Sequence, residues 1–190
     1  MTMNNHFTNI TSHSSHIYIA DYTQQTQSAK GVVISDTHFN DIRYCTINNS
    51  NNIECWGVNF EKNRSVFKIA GTGEQVSQCE CMIASKNAKK KGWVCLMELK
   101  YCSEKNVRGN SVKAFNQLIA CFDYLKGKGI INLKKHRVYL NISVPDHSNK
   151  QPFNRFLSPN EIIGLKKTKS VQLLGFNKIE VLDDDYLKAV

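Results

Sequence analysis

Short apolar runs alternate with polar breaks along most of the chain, and their period separates strands from helices. Val32-Val33-Ile34, Tyr44–Ile47, Ile53–Val58, Ser65–Ile69, Cys79–Ala84 and Trp93–Tyr101 are brief, β-prone runs. Asn48–Asn52 is expected as a hairpin loop, and a lysine-rich segment ending in Gly92 joins the last two runs. The period then changes. Val112, Phe115, Leu118, Ile119, Phe122 and Leu125 recur at helical spacing, Lys113, Asn116, Asp123 and Lys126 fall outside that stripe, and Gly127 and Gly129 follow as stop signals. Arg137–Val144 alternates as a strand, and Ser158-Pro159-Asn160-Glu161 announces a second helix with an N-cap, a first-turn proline and a capping acid. Val171–Leu174 and Ile179–Leu182 are the last strands expected. This order predicts an α/β (α+β) fold with a central mixed sheet flanked by helices. Residues 1–30, rich in Asn, Thr, Ser, His and Gln, read as a polar, partly mobile segment, mobile over at least the first dozen residues, with one short strand at Ile17–Ala20. Residues 31–190 read as one domain.

Composition narrows the class. The chain has 190 residues, 41% hydrophobic and 22% charged, with 10 Gly and 3 Pro, which excludes collagen-like and wholly disordered chains. No apolar run approaches the ~18–20 residues of a membrane span, and no basic-then-apolar opening suggests a secretory signal, so no membrane partner is expected. Seven cysteines, an odd number, read as reduced thiols of a cytoplasmic protein. His6, His13 and His16 lack metal-ligand spacing and are expected at the surface.

The net charge of +9 is unevenly spread. Residues 86–137 hold thirteen Lys or Arg and only Glu98, Glu104 and Asp123 as acids, which leaves the remainder close to neutral. Such a field suits a polyanion. Lys86, Lys89, Lys90 and Lys91, together with Lys134, Lys135 and Arg137, are the candidates for phosphate contacts in a nucleic acid; a solvated lysine-rich surface is the plainer alternative.

The candidate chemistry lies on the two strands around the lysine loop. A period of two places Val94, Leu96, Glu98 and Lys100 on one face and Cys95, Met97 and Leu99 on the other. Glu80 points away from Cys79, Cys81 and Ile83. If the strands pair, Glu80 and Glu98 share a face with Lys100, and two carboxylates suit a hard cation such as Mg²⁺ or Mn²⁺. An isolated Glu-x-Lys is, by itself, an ordinary surface pair.

Glu80, then Glu98-Leu99-Lys100 after an apolar run, then a helix with Ala114-Phe115-Asn116-Gln117-Leu118, resembles the PD-(D/E)XK, or restriction-endonuclease-like, superfamily over about residues 74–125. The nearest likeness is to small defence-associated (antiviral) or uncharacterised members. The resemblance implies a restriction-endonuclease-like core with extra N-terminal β-hairpins. It implies a metal-dependent nuclease in which Glu80 and Glu98 hold Mg²⁺ or Mn²⁺, Lys100 serves the attacking water and Gln117 supports the site, with Tyr124 as a further helix residue. Glu61 and Glu74 are candidates for an upstream acid. DNA is expected ahead of RNA, and the chain is expected as a homodimer or part of a larger complex. Cys79-Glu80 stands where the family has Pro-Asp, so a non-catalytic relative that binds nucleic acid or a partner protein is the alternative.

Two further patterns compete. Val32–Asn40, with Asp36 and His38, resembles the opening motif of calcineurin-like metallophosphoesterases, but their downstream Gly-Asp, Gly-Asn-His and Gly-His-x-His motifs are missing; Asp36 and Asn40 are then residues of a polar turn. Cys79, Cys81, Cys95 and Cys102 lack the usual zinc spacing and read as core thiols.

Overall fold

The computed structural model describes residues 5–148 and 151–190. It is an α+β fold with eleven strands in two mixed sheets and three α-helices among the described residues. In chain order the elements are β1 (Ile10–His13), β2 (Ile17–Asp21), α1 (Tyr22–Thr26), β3 (Val32–Ser35), β4 (Cys45–Asn48), β5 (Cys55–Asn59), β6 (Cys81–Ser85), β7 (Gly92–Leu99), α2 (Val107–Gly127), β8 (His136–Ser143), α3 (Pro159–Lys169), β9 (Val171–Leu174), β10 (Lys178–Val181) and β11 (Leu187–Ala189).

One sheet runs β1-β5-β6-β7-β8-β9, and the other β11-β10-β4-β2-β3. β6 and β7 are antiparallel, whereas β7, β8 and β9 are parallel, with α2 and α3 as the crossovers. Every residue of β7 is buried, as expected of a nearly continuous apolar run covered on both faces. Val94, Leu96, Val138 and Leu140 pack with Leu118, Phe122 and Leu125 of α2. Cys95, Met97, Leu99 and Tyr139 pack instead with Ile17, Ile19, Ile47 and Ile179 of the second sheet. The central sheet is therefore flanked by helices on one face only. The other face is covered by the second sheet, because β2, β4 and β10 are each apolar toward it.

Several expectations are corrected. Asn48–Asn52 does not close a hairpin: β4 and β5 on either side belong to different sheets. Ser65–Phe67 lie in a 3₁₀ segment, Glu61–Phe67, where ring packing outweighs β propensity; the Phe67 ring sits 4.8 Å from Phe60 and 5.7 Å from Tyr124. α2 begins at Val107, and Val112 is 38% exposed. Its buried row runs through the small residues Ser111, Ala114 and Cys121, which let the helix approach the sheet closely. α3 opens with the expected capping box between Ser158 and Glu161.

Residues 5–30 are more than a polar appendage with one strand; residues 1–4 of the segment expected to be mobile lie outside the described residues. β1 pairs with β5, β2 pairs with β3 and β4, and Phe7 is buried against Phe60. His13, expected at the surface, is 5% exposed: its Nδ1 meets Asp36 Oδ1 at 2.6 Å and its Nε2 meets Thr11 Oγ1 at 2.7 Å. Asp36 is thus spent on linking β1 to the end of β3, while the His38 ring meets Tyr18 edge-on, so this pair shares no site.

Candidate active site

The register between β6 and β7 builds the site. Cys81 lies opposite Met97, so one step outward Glu80 faces Glu98. Each acid straps the other strand. The Glu80 amide donates to Glu98 Oε2 at 3.1 Å and to Met97 O at 3.1 Å, and the Leu99 amide donates to Glu80 Oε2 at 2.8 Å. Lys100, one residue beyond β7, donates from Nζ to Glu98 Oε1 at 2.5 Å and keeps 13% of its side chain exposed. Glu80, Glu98, Lys100 and Gln117 all line one cleft of about 190 Å³, so the four residues singled out from the sequence are brought together.

The chemistry of the cleft is that of crowded negative charge. Burial pushes the Glu98 carboxyl up to about 7, against the pull of Lys100. Burial first, then the charges of Glu98 and Asp21, holds the Glu80 carboxyl well above the usual carboxylate range. These are two oxygen-donor groups facing each other beside one ammonium, the donor type that hard cations take. Among the described residues no three His, Cys, Asp or Glu side chains group to hold a metal ion.

The sequence reading missed two contributors from the second sheet and its helix. Asp21, the last residue of β2, is 5% exposed, lines the cleft and caps α1 by accepting the Gln24 amide at 3.2 Å. Gln24 Nε2 donates to Glu80 Oε1 at 2.8 Å. The only signal for Asp21 was an acid ending the apolar run Ile17–Ala20 ahead of a short helix. Glu61 is also in the cleft wall, where its Oε2 accepts the Val32 amide at 3.1 Å; Glu74 is not among the lining residues. Gly31 lies beside it with φ +69°, and a Cβ there would fall 2.1 Å from Glu61 Oε2.

No family model, no curated protein and no solved structure matches the chain.

Gln117 donates to the Gln78 carbonyl at 3.4 Å and so braces the approach to Glu80 from α2. Tyr124 does not reach the cleft: its hydroxyl bonds the Val66 and Lys68 carbonyls at 2.8 and 2.9 Å. The basic residues lie apart from the acids. Lys86, Lys89, Lys90 and Lys91 lie in the β6–β7 loop, and Lys134, Lys135 and Arg137 lie at the start of β8, which pairs with the start of β7. Both groups are therefore at the opposite end of the sheet from Glu98, six strand residues or roughly 20 Å away. Arg137 is engaged by the fold, donating to Lys91 O and to Tyr186 Oη and stacking on the Tyr186 ring at 4.0 Å. The cations lining the acidic cleft are Lys100 and Arg64.

The seven thiols are free, and six of them are buried. Cys79 turns toward Cys121, with the sulfurs 3.6 Å apart, while Cys81 and Cys95 face the second sheet, so they share no zinc site. No helix among the described residues is long and apolar enough to cross a membrane.

Proposed function

We propose that the chain is a metal-dependent nuclease of the PD-(D/E)XK type, hydrolysing phosphodiester bonds of nucleic acid, DNA ahead of RNA, at the Glu80–Glu98–Lys100 cleft. The observation that carries this reading is the direct apposition of Glu80 and Glu98 across β6 and β7, with Lys100 on the same face and α2 packed behind it. An acid at the entry to one strand, Glu-x-Lys at the end of the next and a helix packed on the sheet support the reading that the sequence resemblance suggests.

A divalent ion suits the pair. Two carboxylates whose proton affinity burial raises, with Glu98 adding to the effect at Glu80, gain from a cation between them, and Mg²⁺ needs only one or two carboxylates when water and substrate phosphate complete its shell. When bound, the ion would neutralise charge on the phosphodiester and make a bound water more acidic. The chain's own groups do the positioning. Gln24 and the Leu99 amide fix the Glu80 carboxylate, and the Glu80 amide fixes Glu98. Lys100, held against Glu98 and partly open to the cleft, can hold a water or offset charge on a phosphate oxygen. Gln117 keeps the Gln78–Glu80 segment against α2.

One observation favours a second reading, a non-catalytic module that binds nucleic acid. The strongest concentration of lysines is at the far end of the sheet, away from the acids. Incubation of metal-free protein with plasmid and single-stranded substrates, with and without Mg²⁺ or Mn²⁺, distinguishes the two. Metal-dependent cleavage that Lys100→Ala abolishes supports the nuclease. Intact substrate in every condition, with binding retained without metal, supports the module.

A further inference from the structure

The lysine-rich end of the six-stranded sheet contains a pocket of about 350 Å³, a size within the range of small-ligand sites. Three adjacent strand ends meet in its lining: Ser85 from β6, Gly92 from β7 and His136 from β8. Lys86 and Lys90 enter from the β6–β7 loop, and Lys135 from the connection between α2 and β8.

His136 is 7% exposed, and its Nδ1 accepts the Asn132 amide at 3.0 Å. A ring nitrogen that accepts from an amide carries no proton, so the proton of the neutral ring is on Nε2. Nε2 has no hydrogen-bond partner among the described residues. No side-chain nitrogen or oxygen sealed from solvent lacks a partner among those residues, so Nε2 opens to solvent, and the ring lines the pocket. Burial, reinforced by the charge of Lys135, lowers the His136 pKa to about 4, so it donates as an uncharged ring at neutral pH.

Ser85 is similar. It is 6% exposed, its Oγ accepts the Trp93 amide at 3.1 Å, and its hydroxyl proton has no acceptor among the described residues. Gly92 keeps the space in front of it clear, since a Cβ there would fall 2.6 Å from Ser85 Oγ and 2.9 Å from Ala88 Cβ. Lys86 leans on Glu54 at 3.4 Å, whereas Lys90 and Lys135 form no ion pair among the described residues. Among the described residues the lining contains no carboxylate.

Two buried neutral donors without acceptors, ringed by ammonium groups, match a compact dianion rich in acceptor oxygens. We propose that this pocket binds a phosphate monoester, either as a mononucleotide or as the phosphorylated end of a nucleic-acid strand. The space exceeds what phosphate alone fills and leaves room for an attached sugar. The inference does not depend on the nuclease reading, because the two sites occupy opposite ends of the sheet.

Calorimetric titration of metal-free protein with inorganic phosphate, with AMP and with matched 5′-phosphorylated and 5′-hydroxyl oligonucleotides tests it. Phosphate and AMP are expected to bind. The affinity should fall about tenfold in His136→Asn, whose Oδ1 can still accept the Asn132 amide, and by a similar factor in the exposed double variant Lys90→Ala/Lys135→Ala. Lys167→Ala, which removes an exposed lysine of α3 outside this pocket and outside the acidic cleft, should bind phosphate and AMP like wild type, which separates the pocket from general surface charge. A preference of about tenfold for the 5′-phosphorylated strand would identify a strand end as the ligand, and AMP binding without that preference would identify a free nucleotide. Absence of binding to phosphate and AMP with equal affinity for the two strands overturns the proposal. So do affinities that neither variant changes while melting temperatures stay at the wild-type value.

Discussion

The Glu80 carboxylate is held by two hydrogen bonds but surrounded by other acids. It accepts from Gln24 and the Leu99 amide while facing Glu98 and Asp21. Glu80→Gln preserves the shape: its amide oxygen can accept from Leu99, and Gln24 can turn its own oxygen toward the new NH₂ group. In metal-free buffer at pH 8 this substitution is expected to stabilise the fold by about 1 kcal/mol, read as a rise of roughly 2–4 °C in Tm. It should also remove metal-dependent cleavage. A Tm below wild type would show that mutual repulsion is not what dominates the cleft. At this scale the sequence was informative about Glu98 and Lys100 because a period of two decides which face each takes, whereas ahead of β6 that period breaks, and Cys79 turns to α2 although Cys81 faces the second sheet. It said little about Asp21 and Gln24, which reach the cleft only because a second sheet docks there, a contact that no local spacing encodes.

At the scale of elements, regular periods were legible and exceptions were not. The apolar runs of β7 and β8 and the capping box of α3 announced themselves. β1 did not, because Ile10-Thr11-Ser12-His13 has only one apolar residue, and its place depends on what lies opposite. Thr11 pairs with Gly57 of β5, and a Cβ at that glycine would come 2.7 Å from Thr11 Oγ1 and 2.9 Å from His13 Nε2. Gly57→Ala must therefore push apart the Thr11–His13–Asp36 chain that holds β1 to β3. The expected cost is about 1–3 kcal/mol in urea unfolding, as for other overpacked sites. A change near zero would mean that β1 is secured by its backbone ladder alone. The hairpin expected at Asn48–Asn52 failed for a related reason: a polar loop between two strands shows that the chain turns, but not which sheet the next strand joins.

Across the whole molecule, the two ends of the central sheet respond to pH with opposite signs. Glu98 rises from 4.5 to about 7 on folding, so it binds more protons in the folded state, and its contribution weakens stability as pH climbs from 4.5 to 7; Glu80 acts in the same direction. His136 falls from 6.5 to about 4, so it binds more protons in the unfolded state, and its contribution strengthens stability as pH climbs from 4 to 6.5. In urea unfolding with EDTA, His136→Asn should therefore lose stability more steeply than wild type between about pH 4.5 and 6.5, and Glu98→Gln less steeply. Parallel curves for all three proteins would contradict both assignments. The overall basic charge was readable from composition, but its separation from the acids was not. Lys86–Lys91 and Glu98 are near in sequence, yet an eight-residue strand carries them to opposite ends.

The second sheet also shapes how the protein can be made. β4 takes β10 as a parallel neighbour, and Cys45 donates its thiol to the Phe176 carbonyl 131 residues later. While the chain is being synthesised, β4 must wait for almost all of the remaining sequence before its parallel neighbour β10 exists, and the apolar side of β2 and β4 stays uncovered until β7 and β8 are made. Contacts of such long range slow folding and leave greasy surface exposed in the interval, so yield in a cell should depend on holdase chaperones far more than the melting temperature of the finished protein suggests.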